Sequence, residues 1–511
     1  MSKKGKVYLV GGGPGDPGLI TVRGRRLLQE ADLVVYDALA PVALLNEVRV
    51  GCRLIDAGKR SGRHRLKQAQ ISRLLIRAAK AGKQVVRLKG GDPFLFGRGA
   101  EEGESLSAAG ISFEVVPGVS SALAVPAYAG IPLTHREVNS TVTVLTGHGE
   151  GLDSEAGPAP LDWAALAQEE VLVLLMGMRG LAGNMRALLK HGRSSQTPVA
   201  VTEWGTLPHQ RTVTGTLKDI ASQVKRSRIV APAVVIVGDI VKRRRKLNWF
   251  ETKPLFGKRV LITRARHQAG ILAEHLQAEA AQVIEIPTIE IRSPRSWKRL
   301  DDSIRQLSDM DWLILTSANG VQAFFARLQH HRLDARALAA LKIAVIGPAT
   351  ADSLRSYGIE ADVVANSYRA EGLLTVLPAR QVRGRRVLLA RAAEARAVLP
   401  DGLKQRGAHV TIASCYQSRM PQGARGELKS LMRQNPPDLV VFASSSMVEN
   451  YVRMLHGDAA LWRRIRRIPV ACIGPITAET ARAHRLNVLI QPKQYTIPDL
   501  VAAIVRNARK I

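Results

Sequence analysis

A loop rich in glycine and proline follows the first apolar run of the chain and could hold a small ligand. It spans residues 11–18 (GGGPGDPG), and its glycines include the G-x-G-x-x-G spacing of a dinucleotide-binding loop. Pro14 and Pro17, however, lack the amide protons that a phosphate at a helix start requires. The loop therefore favours a ligand without phosphate, and S-adenosylmethionine is one such ligand.

Three further motifs in the first half also follow predicted strands. They are residues 90–99 (GGDPFLFGRG), 117–122 (PGVSSA) and 130–136 (GIPLTHR). Glycine permits close approach of a ligand to the backbone, and Asp92 could hold a ribose hydroxyl or an ammonium group. Any one of these motifs, taken alone, is more often a tight turn between a strand and a helix.

Turns rich in serine and threonine follow apolar runs in the second half. They are residues 316–320 (TSANG), 347–350 (GPAT), 443–447 (ASSSM) and 474–477 (GPIT). Such turns present hydroxyls and backbone amides at helix N-termini, an arrangement that suits carboxylate binding. For each hydroxyl alone, simple N-capping of a helix is the better explanation.

These turns belong to an internal repeat. Residues 257–261 (GKRVL) recur as 384–388 (GRRVL), 311–315 (DWLIL) as 438–442 (DLVVF), and 344–351 (AVIGPATA) as 471–478 (ACIGPITA). Every pair is offset by 127 residues, as from 257 to 384. A period this long indicates duplicated domains, and each copy predicts a doubly wound α/β sheet.

Two extended stretches, residues 287–294 and 414–421, interrupt this pattern at equivalent places. They could be two chain crossings between lobes, with lobe 1 at about 257–290 and 418–511 and lobe 2 at about 293–414. A cleft between two similar lobes would be the natural ligand site.

Alternating strands and helices position the motifs of the first half. Apolar runs predict strands at residues 7–10, 33–35, 85–88, 113–116, 141–145, 171–176 and 234–237. The alternation predicts an α/β fold, and residues 150–160, rich in glycine, proline and acidic groups, predict a surface loop between two lobes.

A basic run, residues 242–246 (KRRRK), follows the last of these strands, and a new strand begins at Lys258. We therefore place the first domain at residues 1–245, a linker at 246–256 and the second domain at 257–511. For the basic run, a solvated linker is favoured over a nucleic-acid-binding patch.

Composition limits the class of protein. The chain has 511 residues, a formal net charge of +31 and only 4% aromatic residues. Its length predicts three or four compact units. The charge fits either a nucleic-acid binder or an enzyme for polyanionic substrates, and the scarcity of aromatic residues argues against the stacking surfaces of RNA binders.

Nothing in the sequence indicates a membrane or an export route. No apolar run reaches the ~18 residues of a membrane span, and the start lacks a signal-peptide pattern. The three cysteines, Cys52, Cys415 and Cys472, are far apart and have no metal-binding spacing. We therefore expect a cytoplasmic protein with free thiols and no metal site.

Together and in this order, the motifs of the first half resemble the tetrapyrrole methylase family, specifically the uroporphyrinogen-III C-methyltransferases, over about residues 5–245. Supporting motifs are residues 36–39 (YDAL), 146–148 (TGH), 175–178 (LMGM) and 203–206 (EWGT). The resemblance implies S-adenosylmethionine as cofactor, S-adenosylhomocysteine as its product, and a homodimer. It implies cofactor contacts at Pro14, Gly90, Gly91, Asp92, Leu95, Ser120, Ser121, Met176, Gly205 and Ala233.

The resemblance also implies that Asp37 is a proton acceptor and Lys59 a proton donor. An electron-rich pyrrole attacks the sulfonium methyl group, and a proton must then leave. From the residues alone, Asp37 as a helix cap and Lys59 as a solvated lysine are equally good interpretations. Because the family's substrate carries eight carboxylates, a basic cleft is expected; the candidates are Lys59, Arg60, Arg63, Arg65, Lys89, Arg98 and Arg136.

The second half resembles uroporphyrinogen-III synthase along nearly its whole length, on residues 261–264 (LITR), 287–291 (PTIEI), 416–417 (YQ) and the repeated turns. That family inverts ring D of hydroxymethylbilane and closes the macrocycle without a cofactor. The resemblance implies that Tyr416 donates a proton to the leaving hydroxyl, unless it only packs between the lobes. Substrate-contacting hydroxyls match Ser444 and Thr477, with Thr316, Ser317 and Thr350 as further candidates.

The two resemblances imply consecutive reactions. The second half would make uroporphyrinogen III, and the first half would methylate it twice to precorrin-2, on the way to sirohaem, cobalamin or both. Small-molecule tetrapyrroles are the expected partners, without nucleic acid or membrane. Two alternatives are a methyltransferase with an inactive, substrate-binding second half and, from another class, a basic RNA-binding protein or RNA methylase.

Overall fold

The computed structural model describes residues 5–58, 66–147, 161–263, 266–365 and 370–511, and only the backbone at 266–269 and 370. Its internal contacts divide the chain into two units. The first comprises Met1–Arg259, His275–Gln282 and Ala508–Lys510, and the second comprises Val260–Glu274, Val283–Asn507 and Ile511. Each unit contains two sheets.

The first sheet of unit one is parallel. Its strands are β1 (Lys6–Gly11), β2 (Leu33–Tyr36), β3 (Arg53–Asp56), β4 (Gln84–Lys89) and β5 (Phe113–Val116). The order is β3-β2-β4-β1-β5, and every neighbouring pair is parallel. All strands therefore end at one edge, and this carboxyl edge carries the loops that follow β1, β2, β4 and β5.

The second sheet of unit one is mixed. Its strands are β6 (Thr143–Thr146), β7 (Leu172–Leu175), β8 (Pro198–Glu203), β9 (Arg211–Thr216) and β10 (Ala233–Val237). The order is β6-β7-β10-β8-β9, with only β6 and β7 parallel. Strands β3, β8 and β9 are not among those that the apolar runs predict. β3 and β9 are only partly buried and rich in polar residues, whereas β8 is almost wholly buried.

Eight α-helices pack on these sheets within the described part of the first half. They are α1 (Val22–Glu30), α2 (Gln68–Lys80), α3 (Gly99–Ala108), α4 (Ser121–Tyr128), α5 (Trp163–Gln168), α6 (Leu181–Lys190), α7 (Ile220–Arg226) and α8 (Arg244–Leu247).

Residues 246–256, predicted to be a linker, are folded onto unit one, and of the basic run Arg244 packs with them, whereas Lys242, Arg245 and Lys246 are exposed. Arg244 pairs with Glu251 at 2.5 Å, and both side chains are about 15% exposed. Phe250 and Leu255 are buried. Hydrophobic burial therefore extends past residue 245, which a run of five basic residues does not reveal.

The second unit contains a five-stranded and a six-stranded sheet. Its strands are β11 (Arg259–Ile262), β12 (Gln282–Glu285), β13 (Glu290–Arg292), β14 (Trp312–Leu315), β15 (Lys342–Ile346), β16 (Val363–Ala365), β17 (Arg386–Ala392), β18 (His409–Arg419), β19 (Leu439–Phe442), β20 (Pro469–Cys472) and β21 (Asn487–Ile490). The orders are β12-β11-β19-β20-β21 and β13-β18-β17-β14-β15-β16. Each sheet thus takes strands from both copies of the repeat.

The exchange of strands follows from the two extended stretches. Strand β18 is 11 residues long, and its end pairs antiparallel with β13, where Glu290 lies opposite Arg419 and Arg292 opposite Gln417. The two stretches therefore lie side by side. We call the parts built on the two sheets the five-stranded lobe and the six-stranded lobe.

The helices described in the second half cover both lobes. They are α9 (Arg266–Ala278), α10 (Lys298–Arg305), α11 (Ala318–His330), α12 (Pro348–Arg355), α13 (Ala370–Val376), α14 (Ala379–Val382), α15 (Val398–Gln405), α16 (Ala424–Gln434), α17 (Ser445–Leu455), α18 (Ala459–Ile465), α19 (Pro475–Ala483) and α20 (Ile497–Arg506). Across the residues that the structure describes, every helix is too short or too polar to cross a lipid bilayer.

Candidate functional site

Three loops at the carboxyl edge of the parallel sheet meet through glycines. Gly13 and Gly91 exchange two backbone hydrogen bonds, of 3.2 and 2.7 Å. A Cβ atom on Gly118 would lie 2.3 Å from the carbonyl oxygen of Gly91 and 2.7 Å from Gly11. Only glycine fits at such a contact, so the loops after β1, β4 and β5 form one connected cradle of backbone.

Asp92 fastens the second of these loops to the third. Its Oδ2 accepts a hydrogen bond of 3.0 Å from the Gly118 amide, and its Oδ1 accepts bonds from the amides of Phe94 and Leu95 at 2.8 and 3.0 Å. A carboxylate that accepts three amide hydrogen bonds shapes the loop. The sequence suggested a ligand-binding role for Asp92, and the structure adds this supporting one.

Residues with left-handed backbone conformation concentrate in the same region. Non-glycine residues with positive φ occur after β4, β7 and β8, at Phe96 (53°), Arg98 (58°), Met176 (56°), Trp204 (47°) and Thr206 (72°). Such conformations cost about 1–3 kcal/mol each and persist where surrounding structure holds them, commonly at ligand sites. The strain therefore marks the loops that the sequence motifs marked independently.

The loops of the mixed sheet that contain predicted cofactor contacts are close to one another. Gly205 lies against Val125 of α4, where an added Cβ would be 2.5 Å away. The Trp204 amide donates to the Pro232 carbonyl at 3.1 Å, which brings Gly205 near Ala233. Met176 follows β7, which pairs with β10, the strand that begins at Ala233.

The remaining predicted cofactor contacts lie in the cradle. Ser120 is the N-cap of α4, and its hydroxyl accepts from the Ala122 amide at 3.2 Å. The Ser121 amide would be 3.7 Å from a Cβ on Gly91. Leu95 is 38% exposed, next to the exposed Phe94 and Phe96, so apolar surface borders the polar backbone. Pro14 and Gly90 lie in the loops after β1 and β4.

Asp37 follows β2, the neighbour of β4, and borders the cradle. Its side chain is 32% exposed and forms ion pairs with Arg87 and, at 3.7 Å, with Lys89. Leu39, in the same loop as Asp37, lies close to Gly90: a Cβ atom added to Gly90 would be 2.8 Å from the Leu39 carbonyl oxygen. Asp37 is thus the exposed member of a charged cluster and caps none of the described helices.

The rest of that cluster is buried. Glu102 of α3 is fully buried, and its Oε1 accepts from Arg87 at 3.1 Å, Lys89 at 3.2 Å and Gln68 at 2.9 Å. Burial, and next the charge of Arg87, lower the pKa of Lys89 below its usual value. Lys89, a candidate carboxylate ligand from the sequence, is therefore committed to Glu102 and Asp37.

Arg87 and Glu102 are not among the residues predicted from the sequence, although the sequence carries a signal for them. Arg87 and Lys89 are two residues apart in strand β4, whose positions 85, 86 and 88 are apolar, so their side chains lie on one face of the sheet. Two buried cations on one face require buried anions. Of the other basic candidates, Arg98 pairs with Glu101 at 2.6 Å and Arg136 is exposed; Lys59, Arg60, Arg63 and Arg65 lie outside the described residues.

In the second unit, the structure brings together Ser317 and Tyr416. Their hydroxyl oxygens are 2.9 Å apart, and Ser317 also accepts from the Gly320 amide at 3.1 Å as the N-cap of α11. Tyr416 lies in β18 beside β17, and burial raises the pKa of its hydroxyl. The phenol is therefore protonated at neutral pH and able to donate.

The other predicted hydroxyls divide between the two lobes. Thr316 follows β14 in the six-stranded lobe, and Thr350 lies in α12, where its hydroxyl donates to the Ile346 carbonyl at 2.6 Å. Ser444 is the N-cap of α17 in the five-stranded lobe, with its hydroxyl 3.0 Å from that of Ser446. Thr477 is buried in the first turn of α19. All of them follow the carboxyl ends of parallel strands.

Comparisons with known proteins match the two halves of the chain to two different families. The family model for Tetrapyrrole (Corrin/Porphyrin) Methylases matches residues 6–221, and that for Uroporphyrinogen-III synthase HemD matches residues 270–502. The Porphyrin biosynthesis protein HemD of Ruminiclostridium josui is 34% identical over 498 residues, which cover 97% of each chain.

Two further relatives match the first half. The S-adenosyl-L-methionine-dependent uroporphyrinogen III methyltransferase of Methanosarcina barkeri is 52% identical over 238 residues, covering 46% of this chain and 92% of that protein. The Siroheme synthase of Azotobacter vinelandii is 49% identical over 248 residues, covering 48% of this chain and 52% of that protein. The chain therefore belongs to the tetrapyrrole methylase family in its first half and to the uroporphyrinogen-III synthase family in its second half.

Proposed function

We propose that the chain is a bifunctional enzyme of tetrapyrrole synthesis. The second unit cyclises hydroxymethylbilane to uroporphyrinogen III with inversion of ring D, and the first methylates that product twice with S-adenosylmethionine. The product is precorrin-2, which feeds sirohaem synthesis and, as a finer proposal, cobalamin synthesis. The observation that carries the proposal is the relative that matches both halves in one chain, over 97% of its length.

The residues of unit one suit a sulfonium nucleoside. The cradle offers backbone groups at glycines that leave no room for a side chain, with exposed apolar residues beside them. We propose cofactor contacts at the ten positions predicted above, from Pro14 to Ala233. When bound, S-adenosylmethionine supplies an activated methyl group, and the protein must orient the substrate towards it.

Asp37 is the proposed proton acceptor of the methyl transfer. The methylated ring carries a positive charge until it loses a proton. Asp37 is partly exposed beside the cradle, and Arg87 and Lys89 fix its carboxylate. Lys59 stays a proposed proton donor on the family resemblance.

Tyr416 is the proposed proton donor of the cyclisation. Its protonated phenol lies in the strand that passes between the lobes, and Ser317 orients its hydroxyl. Proton donation would help the hydroxyl of the linear substrate to leave as water. The hydroxyls of Thr316, Ser317, Thr350, Ser444 and Thr477 are proposed contacts to the substrate.

One incubation tests both activities. The purified chain is mixed with hydroxymethylbilane, with and without S-adenosylmethionine, and the products are separated by chromatography. We expect uroporphyrinogen III without the cofactor and precorrin-2 with it. Formation of uroporphyrinogen I alone would reject the synthase activity and favour an inactive second half. Accumulation of unmethylated uroporphyrinogen III with cofactor present would reject the methyltransferase.

Two finer proposals accompany this function. The family resemblance favours a homodimer through the first half, which gel filtration with light scattering can test. The free thiols of Cys52, Cys415 and Cys472 suit the cytoplasm.

A further inference from the structure

Besides the Gly13–Gly91 hydrogen bonds, the loop after β1 is held through Asp16. The Asp16 carboxylate accepts from the Gly18 amide at 2.8 Å and from the Tyr128 hydroxyl at 2.7 Å, while its own amide donates to the Thr206 hydroxyl at 3.1 Å. Tyr128 ends α4, and Thr206 follows β8. The first loop of the cradle is therefore anchored to the part of unit one that carries the mixed sheet.

Both anchors of Asp16 lead to residues 248–256, which we call the support segment. The Thr206 amide donates to Gln210 Oε1 at 2.8 Å, and Gln210 Nε2 donates to Glu251 Oε1 at 2.8 Å. Thr206 and Gln210 are each 2% exposed, so little water competes for these bonds. Glu251 also accepts from Thr212 at 2.7 Å and from Arg244.

The second anchor reaches the support segment through aromatic packing. The Tyr128 ring makes edge contacts with Trp249 and Phe250, with centroids 5.1 and 4.8 Å apart. The Trp249 indole donates to the Ala127 carbonyl at 3.0 Å. The segment thus packs against the end of α4, whose N-cap Ser120 and first residue Ser121 belong to the cradle.

We propose that the support segment positions the loop after β1 (residues 11–18), with Glu251 as its central positioning residue. The identity of the ligand rests on the proposed function, whereas the contacts of the support segment do not. Residues 248–256 lie beyond the match to the methylase family model, which ends at residue 221. The segment therefore adds to the cofactor site a part that a cut after residue 245 would remove.

Two variants of the full chain test the proposal. E251Q keeps the size of the side chain but removes the charge that Arg244 faces, and Y128F removes only the hydroxyl that Asp16 accepts. D32N is the matched control, because Asp32 accepts from the Gln84 amide at 2.7 Å at the opposite, amino-terminal edge of the parallel sheet. Each variant is measured for S-adenosylhomocysteine binding by calorimetry, thermal unfolding and amide hydrogen exchange of residues 11–18 without ligand.

We expect E251Q and Y128F to weaken S-adenosylhomocysteine binding about 3- to 10-fold, the worth of about one lost hydrogen bond, and to speed exchange of the loop amides. D32N should lower Tm but leave both readouts unchanged. Unchanged binding and exchange in E251Q and Y128F, with a lower Tm only, would overturn the proposal. If the wild-type chain binds no S-adenosylhomocysteine, the proposed function fails, and the exchange rates alone decide this inference.

Discussion

The hydroxyl oxygens of Ser317 and Tyr416 lie 2.9 Å apart although 99 positions separate the two residues. Ser317 caps a helix after β14, and Tyr416 lies in a strand that pairs with both β13 and β17. A helix cap and a buried phenol are each common, but their hydrogen bond at the end of a parallel sheet gives the phenol one orientation. The pair joins two of the predicted site residues of the second unit.

Y416F should lower the rate of uroporphyrinogen III formation about 10- to 100-fold, because the proton donor is lost while the ring still fills its site. S317A should lower it only about 5-fold, since it removes one hydrogen bond from Tyr416. Consumption of hydroxymethylbilane and the ratio of isomers III and I are the measurements. Methylation of added uroporphyrinogen III is the control, and its rate should not change. Equal rates of cyclisation in Y416F and wild type would exclude Tyr416 as the proton donor.

D37N should lower methyl transfer about 100-fold, because the amide accepts no proton from the substrate. Cofactor binding should stay within about 2-fold, since Asp37 borders the cradle without belonging to its glycine contacts. Single-turnover methylation and calorimetry separate the two effects. A large loss of cofactor affinity with an unchanged rate at saturation would assign Asp37 to binding instead.

E102Q should destabilise unit one by about 3–5 kcal/mol, since it leaves two buried cations with one fewer counter-charge. The measurement is the free energy of unfolding from urea titration. E101Q is the neighbouring control: Glu101 is exposed, and its variant should lie within about 0.5 kcal/mol of wild type. Similar stability of the two variants would show that Glu102 does not hold the cluster together.

G118A should disturb the cradle, because its Cβ would overlap the Gly91 carbonyl at 2.3 Å. We expect a loss of about 1–3 kcal/mol of stability together with weaker S-adenosylhomocysteine binding. In G183A the new methyl group meets nothing within 4 Å on helix α6, so that variant should gain about 0.5–1 kcal/mol. Normal cofactor binding in G118A would contradict a cradle formed by glycine contacts.

Because of Asp301, the free energy of unfolding of the six-stranded lobe should fall at acidic pH. Hydrogen bonds from Arg327, at 2.5 and 2.6 Å, and from His331, at 2.8 Å, hold the pKa of Asp301 well below its usual value. A carboxyl group with a depressed folded-state pKa stabilises the fold above its unfolded pKa, about 3.9. That contribution is lost as the pH falls towards the folded value.

D301N should therefore destabilise the protein by about 2 kcal/mol at pH 7, and the difference from wild type should shrink below about pH 4. Thermal unfolding between pH 3 and pH 8 measures this dependence. D334N is the control, because Asp334 pairs with an Arg336 side chain that is 92% exposed. A difference for D301N that is constant across this pH range would contradict the role of ionised Asp301.

The sequence by itself determined the order of the parts. The local patterns are the glycine loops after apolar strands, the 127-residue offset of the repeat and the two extended stretches. Each is present in the structure, because strand length, turn conformation and burial follow from neighbouring residues. The four motifs of the first half could likewise be read from the chain, since glycine at a close backbone contact is a local requirement.

Tertiary structure alone decided which distant residues share a site. The contact of Ser317 with Tyr416, the buried cluster of Glu102 with Arg87 and Lys89, and the support of Asp16 by the segment around Glu251 all join parts of different sheets or helices. The segment 246–256 was expected to be a linker because the basic run before it is visible locally, whereas the aromatic contacts of Trp249 and Phe250 with Tyr128 are not. Side-chain partners depend on how elements pack, and packing is a property of the whole fold that no local pattern contains.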